Sequence, residues 1–258
     1  MNFDLDEDQQ LTRDMIGRFL GPVDVAARHA MRKAEGGYSH TRWQEVANLG
    51  LLALAAPQTM GGIGGTMVDL ALVAEALGKG VAIDPWLENG VLPIRLAAAT
   101  GDGALVCELA SGAQLAAVAF AEPGRRYEIE AVATKVENAH LTGAKTFVLG
   151  APLADTLLVT VADNKLAKVT KGAPGVVRQD YPVIDGSNGA TIDLHRAPAE
   201  LFELPEAKFQ RVIGDARLLA SAEMLGLAQT MFDDPLAYVG ERQQFGAAIG
   251  SFQALQHR

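Results

Sequence analysis

The sequence predicts an α+β chain of three successive domains: helical over residues 1–113, all-β over 114–204, and the beginning of a second helical bundle over 205–258. Three observations predict this order. Apolar residues recur at helical spacing through the first third. Short alternating or β-branched runs, punctuated by Gly, Asn, Asp and Pro, fill the middle. Helical spacing then returns from Pro205. With 49% hydrophobic residues among 258, the chain buries a real core, which excludes an intrinsically disordered protein.

In the first domain, Leu11, Met15, Ile16 and Phe19 share one helical face behind the acids Asp6, Glu7 and Asp8, which suit a helix N-terminus. Thr41 is a candidate cap for a helix carrying Trp43, Val46 and Ala47, with Gly50 as its stop. Further helices are expected over Met67 to Leu77, from Pro85 through Ala99, and over Ala104 to Ala110. The stripes on all of them read first as core packing. Expected strands are Leu115 to Ala121, Glu130 to Glu137, Leu157 to Val161, Leu166 to Val169, Gly175 to Arg178 and Ala190 to Leu194. Leu141 to Val148 reads as a turn followed by a strand. Beyond Pro205, apolar residues from Phe209 to Ala228 indicate one long helix or two joined ones, interrupted at Pro235, and another helix begins at Phe252.

Charge and cysteine content narrow the function. Against 31 acids stand 22 Lys and Arg, so little excess cation is available to neutralise phosphates, and nucleic acid is not expected as the main partner. One cysteine, Cys107, excludes an internal disulfide framework and suits a reducing cytoplasm. The acidic start from Asp4 to Asp8 is unlike a secretion signal, and no apolar run approaches the ~20 residues of a membrane span. A cytoplasmic chain without a membrane span is the expectation.

Motif chemistry is sparse. Gly61-Gly62-Ile63-Gly64-Gly65 invites a phosphate-cradle reading, but it lies between helices and does not complete a dinucleotide fingerprint, so a tight interhelical turn is preferred. Gly143-Ala144-Lys145-Thr146 lacks the upstream glycine of a P-loop and suits a hairpin turn. The five histidines (His29, His40, His140, His195, His257) show no ligand spacing, so no metal site is expected.

Longer stretches carry more. Tyr238 to Gln253, reading YVGERQQFGAAIGSFQ, resembles the signature of the flavin-dependent acyl-CoA dehydrogenases. Ala119-Phe120-Ala121-Glu122-Pro123-Gly124 is similar to the end of that family's first β-domain strand, and Leu141 to Phe147 to its Asn-Gly-x-Lys-x-Trp/Phe segment. Phe3 to Leu11 and Pro57 to Gly65 match in kind, so the likeness spans the chain in order. The ending Gly250 to Arg258 looks most like the small subunit of pimeloyl-CoA-dehydrogenase-type enzymes.

The resemblance implies an N-terminal helical domain, a central β-barrel-like domain and a C-terminal four-helix domain. It implies FAD between the last two, with the adenosine end reaching a neighbouring subunit, and an oligomer of like or unlike chains. The implied reaction is α,β-dehydrogenation of an acyl-CoA in fatty acid metabolism, with electron-transfer flavoprotein or a similar acceptor. On this likeness Arg242 meets the FAD pyrophosphate, the alternative being an ion pair with Glu241 or a neighbour. Phe245, Ile249 and Phe252 line the adenine pocket with Gln253 beside them, or are plain core. Phe120 and Ala121 offer backbone groups to the flavin, and Phe147 retains an aromatic where the family often stacks Trp.

Departures are informative. Ala121 and Leu149 stand at flavin-facing positions that often hold Thr, and Arg125-Arg126 replace the usual small residues after Gly124. The two arginines meet CoA phosphates or an acidic acyl tail, or belong to a solvated loop. Arg217 lies near the expected substrate site. The usual catalytic Glu is not in this chain, which reads as C-terminally incomplete; where some members place a base before the equivalent of Arg217, Ala216 stands. Asp215, one position earlier, points ~100° away on a helix. Two readings result: an FAD-dependent acyl-CoA dehydrogenase polypeptide, or a catalytically silent subunit supporting a partner chain. A nucleotide-binding module built on the Gly61 turn is a third.

Overall fold

The computed structural model describes residues 4–33, 37–125, 128–129 and 132–257. The first helices are α1 (Glu7–Leu20), α2 (Val25–Lys33), α3 (His40–Asn48), α4 (Met67–Lys79), α5 (Leu92–Thr100) and α6 (Gly103–Ala110). Eight strands follow: β1 (Ala116–Ala119), β2 (Lys135–Glu137), β3 (His140–Leu149), β4 (Thr156–Val161), β5 (Lys165–Thr170), β6 (Val176–Pro182), β7 (Asn188–Pro198) and β8 (Glu200–Glu203). Helix α7 (Glu206–Glu241), a two-residue hairpin of β9 (Gln243–Gln244) and β10 (Ala247–Ala248), and the short α8 (Gln253–Gln256) complete it. No helix among the described residues is long and apolar enough to cross a membrane.

Contacts divide the chain into two compact units. One consists of Met1–Val23, Ala71–Ala82 and Leu219–Arg258. It opens with a capping box: Asp6 accepts from the Gln9 amide at 2.8 Å, while the Gln9 side chain accepts from the Asp6 amide at 3.2 Å. Within this unit α4 and α7 touch backbone to backbone. A β-carbon added at Gly78 would lie 2.0 Å from the Glu223 carbonyl oxygen, and one at Gly226 would lie 2.0 Å from that of Glu75. The Thr230 hydroxyl adds a 2.8 Å bond to the Lys79 carbonyl.

The other unit, Asp24–Leu70 and Ile83–Leu218, holds both main sheets. One sheet runs β1-β4-β5-β8, with β1 parallel to β4 and the other pairs antiparallel; the second runs β2-β3-β7-β6, all antiparallel. Inward residues of both sheets, among them Ala117, Leu141, Val159, Val169 and Ile192, form a single cluster. The barrel-like expectation thus takes the form of two four-stranded sheets around one core. β4 is buried along its whole length, as a central strand should be.

Local differences from the sequence reading have physical causes. The cap of α3 is Ser39, whose hydroxyl accepts from the Arg42 amide at 3.3 Å, and not Thr41. Helix α2 buries no residue; it is tied down by Arg28 and Arg32, which donate to the carbonyls of Asp185 and Val183. No turn interrupts β3: Gly143 pairs with Leu194 inside the strand, and a β-carbon there would come within 2.7 Å of the Thr134 hydroxyl. Of the strand expected over 130–137, only β2 forms; residues 130 and 131 lie outside the described residues. Pro235 does not end α7, and residues 231–238 around it are exposed to solvent.

The segment after Pro85 begins as a π-helical turn, Trp86–Val91, before continuing as α5. The wider turn seats the fully buried Asn89, whose amide donates to the carbonyls of Ala116 and Gly150, both at 3.0 Å. Its Oδ1 has no hydrogen-bond partner among the described residues.

Candidate functional site

The glycine cluster is excluded first. The amides of Gly62, Ile63, Gly64 and Gly65 donate to the carbonyls of Pro57, Ala53, Ala56 and Leu54, so the loop spends its donors on itself. Among the described residues no cluster of metal-ligating side chains occurs.

The chemistry concentrates where β1 ends beside β3. Lys145, wholly buried, donates to Glu122 at 2.8 Å and to the Thr160 hydroxyl at 3.1 Å. Glu122, 6% exposed, also accepts from the Thr134 hydroxyl at 2.7 Å, the Thr134 amide at 3.0 Å and the Ala133 amide at 2.7 Å. Burial opposes ionisation of Glu122, but the bonds from Lys145, Thr134 and Ala133, together with the Lys145 charge, outweigh it and hold the carboxyl at about 2. Burial lowers the Lys145 pKa, and Glu122 opposes that shift.

This pair lies beneath two of the expected cofactor segments. The Thr146 amide donates to the Ala121 carbonyl at 2.9 Å, joining Phe120 and Ala121 to β3. Just beyond Lys145 a bulge shifts the β3–β7 register, and Phe147 takes a left-handed φ of 51° with its ring 55% exposed. Phe120 is half-buried and meets Phe209 edge-on, centroids 6.4 Å apart. Leu149 is half-buried and pairs with Gly189.

A second group forms around the β9–β10 hairpin in the other unit. The Ile249 amide donates to the Arg242 carbonyl at 2.8 Å, and Phe245 and Phe252 meet edge-on at 6.4 Å. Phe245 is 94% exposed, which overturns the plain-core alternative for it. Among the described residues the Arg242 side chain forms no ion pair, with Glu241 or any other acid. Gln253, exposed, opens α8.

Of the expected substrate residues, Arg125 is half-buried with Glu128 at 3.9 Å, Arg217 is exposed on α7, and Arg126 lies outside the described residues. Asp215 is held by Arg95 at 2.6 Å as its counter-ion. With Lys208 and Arg211 this pair lines a cavity of about 330 Å³. The Asp215→Ala variant should lose about 1–3 kcal/mol in a urea titration, because the Arg95 guanidinium stays half-buried without its acid. An unchanged midpoint would refute this.

Glu122 and Lys145 were visible as motif letters but carried no role in the sequence reading. The available signal was a lysine on the inward side of β3, in line with Leu141, where an apolar residue belongs.

Comparison with known proteins is decisive about family. Residues 6–97 match the model of the acyl-CoA dehydrogenase N-terminal domain and residues 208–258 that of the C-terminal domain. The chain is 30% identical over 260 residues to acyl-CoA dehydrogenase FadE28 of Mycobacterium tuberculosis, covering 99% of this chain and 71% of that protein. The chain belongs to the acyl-CoA dehydrogenase family. Among solved structures, the ChsE4–ChsE5 complex of Mycobacterium tuberculosis is similar at 25% identity and a TM-score of 0.84, over 100% of this chain and 73% of that one. An acyl-CoA dehydrogenase of Bacillus anthracis, solved with FAD, shares the fold with a TM-score of 0.85 at 23% identity, over 98% of this chain and 48% of that one.

Proposed function

We propose that this chain is an FAD-dependent acyl-CoA dehydrogenase polypeptide that converts an acyl-CoA thioester to the trans-2-enoyl-CoA. The observation that carries the reading is the pinned pair of segments Phe120–Ala121 and Phe147, in a chain whose family binds FAD. The residues fit the cofactor. Each unit by itself offers groups that suit the cofactor: in one, the exposed Phe147 suits ring stacking, and in the other, Arg242, without an ion pair among the described residues, suits a diphosphate, with Phe245 and Phe252 as exposed aromatic faces. When bound, FAD would supply the two-electron acceptor for the hydride leaving the acyl β-carbon, and a general base would take the α-proton. Arg217 and Arg125 orient the CoA thioester or an acidic acyl tail. The assembly is an oligomer, and electron-transfer flavoprotein or a similar acceptor removes the electrons.

A second reading rests on Ala216, which puts a methyl group where some relatives hold a carboxylate base. On it the chain is a silent subunit of a hetero-oligomer, as the ChsE4–ChsE5 relative is a complex of two chains.

The natively purified chain should show flavin absorption that is released on denaturation, and Arg242→Gln should weaken FAD binding about tenfold or more, the effect of losing ~1.4 kcal/mol of charge-assisted bonding. A colourless protein that takes up no added FAD overturns the dehydrogenase reading. FAD binding with acyl-CoA turnover only after a partner chain is added selects the second reading.

A further inference from the structure

We propose that Glu122 and Lys145 are positioning residues for the flavin: their buried pair fixes the Phe120–Ala121 segment relative to the Phe147 bulge, and through it the affinity and surroundings of the cofactor. The inference rests on the FAD reading above and assigns it a device that nothing in the family match supplies.

Removing two charges from water costs several kcal/mol per ion, and well-packed apolar replacements of a buried pair are often neutral or stabilising. A core that needed only stability has no use for Lys145 at zero exposure on a strand whose other buried residues are the apolar Leu141 and Val148. What the charges add is direction. Dispersion and area burial set no angle, whereas a carboxylate with several donors has few acceptable positions.

Four protein donors converge on Glu122: the Lys145 ammonium, the Thr134 hydroxyl and the amides of Ala133 and Thr134. Lys145 also donates to Thr160 on β4, whose hydroxyl is 3.5 Å from the Ala119 carbonyl at the end of β1. The network therefore links the end of β1, the chain entering β2, the middle of β3, and β4. Its two charged members abut the candidate cofactor segments. Glu122 follows Ala121 directly, and Lys145 precedes Phe147 by two residues, with the Thr146–Ala121 bond between them. Both charges are buried while Phe147 is 55% exposed, so their role is to hold the neighbouring segments.

The test uses the full chain with Lys145→Met, Glu122→Gln and the double variant E122Q/K145M. Each is followed by the thermal midpoint without cofactor, the FAD dissociation constant by fluorescence quenching, and the visible circular dichroism of bound flavin. Each single variant leaves one buried charge or polar group unmatched and should melt well below the wild type. The double variant removes both charges and should recover most of that loss. Its FAD affinity should nonetheless stay about tenfold weaker than wild type, equivalent to ~1.4 kcal/mol, with an altered flavin dichroism band. A double variant with wild-type FAD affinity and an unchanged band overturns the proposal and leaves the pair purely structural.

If the double variant does not fold, Thr134→Val removes one bond to Glu122 without stranding a charge. Weaker FAD binding with a changed band then supports the proposal, and unchanged values overturn it. A wild-type chain that takes up no FAD removes the cofactor reading itself and this proposal with it, an outcome distinct from every variant result.

Discussion

Gly226→Ala should destabilise the protein by about 3 kcal/mol, the upper range for overpacking a close contact, and Gly78→Ala by a similar amount. The new methyl would sit 2.0 Å from a backbone carbonyl oxygen of the opposing helix in each case, Glu75 for Gly226 and Glu223 for Gly78. A flexible side chain can swing aside from such a clash, but a helix carbonyl moves only with its helix. α4 and α7 must therefore separate, giving up their contacts and straining the Thr230–Lys79 hydrogen bond. For a chain of this size the loss lowers the thermal midpoint by roughly 6–12 °C. Gly214→Ala is the matched control: it lies on the same helix with nothing within 4 Å of an added β-carbon. It should stabilise by about 0.5–1 kcal/mol through helix propensity. Calorimetry of the three variants decides it; equal midpoints for Gly226→Ala and Gly214→Ala would remove the close-contact explanation.

Acid should weaken the fold through Glu122. Its folded pKa, about 2, lies below the ordinary 4.5, so the unfolded chain binds more protons between these values. The stabilisation it contributes is complete above pH 4.5 and is lost as pH falls toward 2, at most about 3 kcal/mol for a shift of this size. Asp84 acts in the opposite sense. Burial raises its pKa, although Arg42 grips both its oxygens at 2.8 and 2.9 Å, so its protonation in acid offsets part of the loss. Glu122→Gln should lose about 3 kcal/mol at neutral pH, because Lys145 is left without its counter-charge. Its stability should then vary much less with pH across the acid window. Urea titrations from pH 7 downward measure both, and curves for variant and wild type that stay parallel would contradict the assignment.

Local signals carried much of this molecule in its sequence. The stripe through Leu11, Met15, Ile16 and Phe19 marked α1, although only Ile16 of it is fully buried, Met15 and Phe19 are half-buried and Leu11 is exposed. The apolar run Leu157 to Val161 produced the wholly buried β4. Capping was less legible: Ser39 and Thr41 are both good caps, and only the conformation of the preceding chain selects between them. α2 escaped notice because its attachments are long-range bonds from Arg28 and Arg32 to carbonyls more than 150 residues away along the chain.

By itself the sequence determined the family and the order of helical and β segments. Those follow from short-range periodicity and contiguous motifs, which survive as patterns of letters. The tertiary structure alone decided that Glu122 and Lys145, 23 residues apart, share one buried site, that Asp215 is claimed by Arg95, and that Gly78 and Gly226 let two helix backbones meet. Each of these is a contact between distant segments. Its sign depends on distance and burial: a carboxylate is a solvated surface charge or the centre of a four-donor network according to what the fold places around it.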